Sequence, residues 1–184
     1  MNIVVRSDAH QATSGTVTFN GKTFPCALGR SGVIAGDTKR EGDGATPSGT
    51  YPLRTLLVRR DKFQGLDPVC TLPRRTIAFL DSWSDDPTSP NYNKRISLMF
   101  NESGADVTPE SHERLWREDD VYDLIVDLGY NDDPPVPGRG SAIFLHVSHP
   151  EMTPTAGCVA MQKEDLIELL AMISADTKME ILEG

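Results

Sequence analysis

The chain has 184 residues, enough for one domain with its own apolar core, and carries 27 acidic against 18 basic side chains. The resulting net charge of −9 excludes nucleic acid and anionic membrane surfaces as main partners. No run nears the ~20 apolar residues of a membrane span, and the 3 cysteines, at 26, 70 and 158, suit free thiols better than a disulfide framework.

The N-terminal stretch "MNIVVRSDAHQATSG" has an apolar run only over residues 3–5. A secretory signal needs ~7–15 apolar residues, so a cytoplasmic protein is expected, or a periplasmic one if a leader has been removed. "TVTFNGKTFPCALG" alternates around Asn20-Gly21 and predicts a hairpin. A glycine-rich polar loop follows in "GDTKREGDGATPSG", leading into a strand expected over residues 50–59. Further short strands are predicted at "RTIAFLD" (75–81), "RISLM" (95–99), "YDLIVDLGY" (122–130) and "SAIFLHV" (141–147). The stretches 81–94 and 131–140, rich in Asp, Pro and Asn, read as long functional loops. "SHERLWRED" (111–119) predicts a short helix. "KEDLIELLAMIS" (163–174) predicts a longer one, with Leu166, Leu169, Leu170 and Ile173 on one face and acids in its first turn. "KMEIL" (178–182) then returns as a closing strand. With no linker, repeat or low-complexity segment, the expectation is a single, mainly β domain over residues 1–184 with one or two helices.

Cys158 stands in "TPTAGCVAM", outside any long apolar run. A cysteine nucleophile needs a base or a positive setting to reach the thiolate. His146, at the end of the "SAIFLH" strand, is the candidate base; a core histidine bonded to backbone is the alternative. Gly157 leaves backbone N–H groups uncovered beside the sulfur, suited to an oxyanion hole. His149, with His146, Cys158 and Asp127, suggests a zinc site, but the spacing matches no common zinc pattern and no metal or other cofactor is expected. Asp123 and Asp127 read as structural carboxylates, and Cys26 and Cys70 as inert buried thiols.

"GDGATPSGTYPL" (42–53), followed downstream by "IFLHV" and "PTAGCVAM", resembles the L,D-transpeptidase catalytic domain (YkuD type) over about residues 16–181. The resemblance implies a β-sandwich-like fold, Cys158 as the acylated nucleophile, His146 as its base, and Gly157 with the Cys158 amide as the oxyanion region. It further implies acylation by carbapenems. Two departures stand out: Thr155-Ala156-Gly157-Cys158-Val159-Ala160 replaces the family's Ser-His-Gly-Cys-x-Arg, and the His-to-Cys spacing is short. The missing arginine would hold a substrate carboxylate, so Arg139 is expected to take its place, with Arg117 next. If their strand pairs with the His146 strand, Tyr130 and Asn131 are expected on its cleft side; Trp83 reads as a cleft wall or as a core or loop-packing tryptophan, and His149 as lining the cleft mouth or facing water.

The substrate implied is a peptidoglycan tetrapeptide or muropeptide, cut between the diamino acid and D-Ala. Cytosolic L,D-carboxypeptidase activity in wall recycling is the first expectation. A periplasmic transpeptidase forming 3-3 cross-links is second, and a non-enzymatic stem-peptide-binding module is third. The sequence does not define an oligomeric state.

Overall fold

A computed structural model describes residues 1–63 and 68–183. Asn20 and Gly21 take φ of 49° and 78°, the positive pair that a two-residue hairpin turn requires. They join β2 (Ser14–Phe19) to β3 (Lys22–Ala27) in antiparallel register from Ser14↔Ala27 to Phe19↔Lys22. β1 (Asn2–Ser7) lies antiparallel to β2 and parallel to β13 (Lys178–Leu182), so the two ends of the chain are neighbours. β13 pairs with the long β5 (Thr46–Val58), and β5 with β10 (Leu124–Leu128). β10 pairs with β11 (Phe144–Val147), which runs parallel to β12 (Val159–Met161). β12 returns to β3, and the strands close into a flattened ring. Two short strands, β4 (Val33–Ala35) and β6 (Arg74–Thr76), run beside the two ends of β5.

Strand alternation separates two apolar clusters. Leu56, Val58, Leu124, Val126, Leu145 and Val147 point inward to the main core. Leu57, Ile125 and Phe144 point outward to a second cluster, which also holds Trp83, Tyr122 and Cys158. Helix α1 (Lys163–Met172) packs Leu166, Leu169 and Leu170 into the main core. A ten-residue helix is marginal alone; this apolar face secures it, each leucine at a truncation cost of ~2–5 kcal/mol. Lys163 Nζ, 2.7 Å from the buried Asp123 Oδ2, ties its first turn to the start of β10.

A small antiparallel sheet covers the outer cluster, in the order β8 (Arg95–Ser97), β7 (Asp81–Ser84), β9 (His112–Arg114). Two expectations change here. The helix over residues 111–119 is absent: His112–Arg114 pairs with β7, Leu115 is buried in the outer cluster, and Trp116 stacks 3.5 Å beneath the Arg59 guanidinium. The "RTIAFLD" run splits, because a turn closed by Ala78 N–H on Asp81 Oδ2 (2.7 Å) separates β6 from β7 and leaves Phe79 and Leu80 exposed. The architecture is otherwise the expected mainly β, sandwich-like one, with α1 as the single α-helix among the described residues.

Candidate active site

β11 turns Phe144 and His146 outward, and the parallel register His146↔Ala160 carries Cys158, two residues before Ala160, onto the same face. Both side chains are buried, and both line one cavity of about 610 Å³ between the strand ring and the small sheet. Cys158 Sγ accepts the Phe144 N–H at 3.4 Å and donates to the Ala142 carbonyl at 3.2 Å. Burial pushes this thiol up to about 12, and the nearby Glu113 carboxylate acts in the same direction.

The His146 ring is fixed from one side. Its Nδ1 lies 2.8 Å from the Val147 carbonyl and 3.2 Å from the Val121 carbonyl. Two acceptors assign the proton to Nδ1, which leaves Nε2 with its lone pair free to accept one. Burial holds the imidazole down to about 4, so it is neutral at pH 7. The Tyr122 ring packs edge-on against it at 5.1 Å, and the Tyr122 hydroxyl donates to Glu113 Oε1 at 2.5 Å. The thiol donates to the Ala142 carbonyl rather than to the imidazole, so a proton transfer from Cys158 to His146 would need a rotation of the Cys158 side chain.

The 42–53 segment, a loop as far as Ala45 and the first part of β5 from Thr46, braces the cysteine. Asp43 Oδ1 accepts the Ala45 N–H (2.9 Å) and Lys39 Nζ (2.7 Å). Thr46 Oγ1 accepts the Gly29 N–H (2.9 Å) and points toward the Cys158 carbonyl (3.5 Å). Thr155 Oγ1 donates to that same carbonyl at 2.7 Å and accepts the Gly157 N–H at 3.1 Å. Gly157 sits at φ +143°, where a Cβ would come 2.8 Å from the Ala45 carbonyl oxygen; only glycine fits. Its amide is committed to Thr155, which leaves the Cys158 amide as the candidate oxyanion donor.

The expected site residues divide. Arg117 and His149 line the cavity with Cys158, His146 and Gly157. Arg117 is held by Asp119 and lies 5.2 Å above the Tyr122 ring. Arg139, Tyr130 and Asn131 line a different depression, together with Tyr51 and Asp37. There the Arg139 guanidinium donates to the Gly36 and Asp37 carbonyls (3.4 and 3.1 Å), and Tyr130 OH donates to the Arg139 carbonyl. Asn131 Nδ2 donates to the Gly140 and Val136 carbonyls, bracing its own loop. β10 does pair with the His146 strand, but Tyr130 and Asn131 lie beyond its end, and the chain has turned away by then. Trp83 is buried under the site, edge-on to Phe144 at 5.1 Å, with its Nε1–H on Asn93 Oδ1.

Arg30, Lys39, Glu113, Tyr122 and Ser148 also line the cavity, and sequence reasoning did not find them. The one local signal was Lys39, four residues before Asp43 and ion-paired with it. Ser148 and Asp85 line the same cavity, and their buried Oγ and Oδ1 atoms have no hydrogen-bond partner among the described residues. Asp127 lies beside Asp132 and Arg54, and burial raises its carboxyl to about 7. Among the described residues no group of three or more His, Cys, Asp or Glu is placed to hold a metal ion.

The L,D-transpeptidase catalytic domain (YkuD) family matches residues 3–181. No curated protein matches. Among solved structures, L,D-transpeptidase 1 of Mycobacterium tuberculosis aligns with 100% of this chain and 62% of its own, at 12% identity and TM-score 0.40. An L,D-transpeptidase of Mycobacterium smegmatis aligns with 98% of this chain and 58% of its own, at 14% identity and TM-score 0.42. The chain thus spans roughly three fifths of the length of those structures.

Proposed function

The chain belongs to the L,D-transpeptidase catalytic domain family, and on that premise we propose a cysteine-nucleophile enzyme acting on peptidoglycan stem peptides. Cys158 Sγ attacks the carbonyl between the diamino acid and D-Ala, and its proton passes to His146 Nε2. The Cys158 amide faces the developing oxyanion. His146 returns the proton to the departing D-Ala amine, leaving a thioester. Water then attacks the thioester with His146 again as base, releasing tripeptide and the free thiol. One observation carries this reading: His146 presents Nε2, with Nδ1 tied to two carbonyls, in the same cavity as Cys158.

Water is the proposed acceptor, which makes the enzyme an L,D-carboxypeptidase trimming tetrapeptides to tripeptides, with cytosolic wall recycling as its setting. The cavity rim supports this: Arg30, Gly42, His149, Pro154 and Ala156 are all exposed, so water at ~55 M reaches the acyl-enzyme unless a closure excludes it. Transpeptidation is the second reading. Glu41, Asp85 and Glu113 line the cavity, and this acidic lining is suited to an acceptor's ammonium. Mass spectrometry of a defined tetrapeptide, with and without an acceptor amine, separates the two. Tripeptide plus D-Ala in both reactions supports the carboxypeptidase. Product only as the amine adduct supports the transpeptidase. No turnover in either, with peptide still bound, leaves a binding module. Loss of activity to iodoacetamide and not to a chelator assigns it to a thiol.

A further inference from the structure

Four basic side chains line the cavity of Cys158, and charge pairing sets one apart. Lys39 Nζ lies 2.7 Å from Asp43 Oδ1, Arg117 pairs with Asp119, and Arg114 Nη2 is 3.3 Å from Asp106 Oδ2. Arg30 pairs with no carboxylate among the described residues; its Nη2 reaches only the Gly42 carbonyl, at 3.4 Å. Of the cavity's own acids, Glu41 Oε2 is occupied by the Tyr92 and Ser141 hydroxyls, Glu113 by Tyr122, and Asp85 makes no ion pair with Arg30 among the described residues. Among the described residues Arg30 is thus the one Lys or Arg side chain of this cavity without a carboxylate partner, and it is exposed at the rim, where it can meet an anion.

Its position is built by the same bonds that place the cysteine. Arg30 N–H donates to the Thr155 carbonyl and Thr155 N–H to the Leu28 carbonyl, both at 2.8 Å, so the residue is laced to the loop three positions before Cys158. The guanidinium lies against the backbone of Gly44, where a Cβ would come 2.7 Å from Arg30 Cζ. Gly44, at φ +71°, thus leaves room for the arginine to lie flat across the 42–53 loop. A side chain held in this way loses little further freedom on binding.

We propose that Arg30 is the specificity-determining residue of the site and holds a carboxylate of the peptide substrate. This deepens the reading of the site as a stem-peptide enzyme and rests on it. A guanidinium offers a bidentate fork matched to a carboxylate, and such charge-assisted bonds are shorter and stronger than neutral ones. Two carboxylates qualify by chemistry: the terminal one of D-Ala and the side-chain one of the diamino acid.

The test compares the tetrapeptide acid with two amides, one blocked at each carboxylate, on wild type, Arg30→Ala and Arg30→Lys. Wild type should show KM raised about tenfold or more on the amide of whichever carboxylate is read. Arg30→Ala should show that raised KM already on the acid, with no further rise on the amide and little change in kcat. Arg30→Lys should fall between, since a lysine keeps the charge and loses the fork. Arg30→Ala with a wild-type KM, or with wild-type discrimination between acid and amide, overturns the assignment. Calorimetry with Cys158→Ala protein reads the contact without chemistry. There Kd should weaken about tenfold on adding Arg30→Ala, and an unchanged Kd would also overturn it. Arg30-dependent binding by a wild-type protein that never turns the peptide over would instead sink the carboxypeptidase reading and leave the Arg30 contact standing.

Discussion

Titrating the Cys158 thiol distinguishes a resting thiolate–imidazolium pair from two neutral groups. Burial raises Cys158 from 9.0 to about 12 and lowers His146 from 6.5 to about 4, so both are uncharged across the neutral range. At pH 7.5 the thiolate is then about 10³ times scarcer than on an unperturbed cysteine, a difference of about 4 kcal/mol. Alkylation proceeds through the thiolate. In protein with Cys26 and Cys70 replaced by Ala, iodoacetamide labelling of Cys158, followed by intact-mass spectrometry, should therefore start about 10³-fold slower than for free cysteine. The rate should climb about tenfold per pH unit from 7 to 10 without levelling. Glu113→Gln should speed it at any fixed pH, because the Glu113 charge opposes the thiolate. A rate that levels off below pH 8 would mean that the ion pair exists at rest. In that case His146 is a partner to a standing thiolate, and the proton transfer proposed above does not occur at the acylation step.

Cys158→Ala should abolish release of D-Ala, while Cys26→Ala and Cys70→Ala, which change thiols in the main core, should leave kcat intact; an active Cys158→Ala protein would remove the nucleophile from the mechanism. His146→Ala should lose ~10²–10⁴-fold in kcat/KM and His149→Ala far less, and the reverse order in the same kinetic comparison would mean that the base is the other imidazole. Because the folded-state pKa of His146 lies below its unfolded value, the unfolded chain binds the proton first as pH falls, and stability is lost from about pH 6.5 downward. Between pH 7 and 5 the loss from this group is about 2 kcal/mol, and chemical denaturation at the two pH values should show a smaller acid loss in His146→Gln.

Cys158 and His146, which share one cavity, stood out in the sequence because their context is local: a glycine-cysteine pair on a loop and a histidine ending an apolar strand. The hairpin at Asn20-Gly21 and the leucine face of α1 were legible for the same reason. "SHERLWRED" misled because its apolar residues, Leu115 and Trp116, are spaced acceptably for a helix, whereas His112–Arg114 pairs with β7 as a strand and the Leu115 N–H bond to the Asp81 carbonyl and the Arg59 stack hold the two apolar residues in the bend that follows. Arg139 misled through proximity in sequence. It stands seven residues before His146, yet its turn delivers it to the carbonyls of Gly36 and Asp37. Arg30 and Glu113 reach the site only through long-range pairing, by the Gly29–Thr155 bridge and the β7–β9 ladder respectively. Ser148 Oγ has no partner among the described residues to betray it, and no local pattern announces any of the three.

The parallel seam between β1 and β13 sets when the candidate site can exist. Ile3 meets Met179 and Val5 meets Ile181, contacts that span nearly the whole sequence. Such non-local pairings carry a large loop-closure cost and belong to slow folding topologies, on the order of milliseconds to seconds. During synthesis, β5 is exposed to β10 long before β13 leaves the ribosome to pair with its other edge and with β1. Until then the strand edges of β1 and β5 stand open to solvent and to other chains, a hazard for nascent molecules at high local concentration. The loop that holds Cys158 hangs from strands of this ring, so the thiol gains its rigid setting only once β1 and β13 have met.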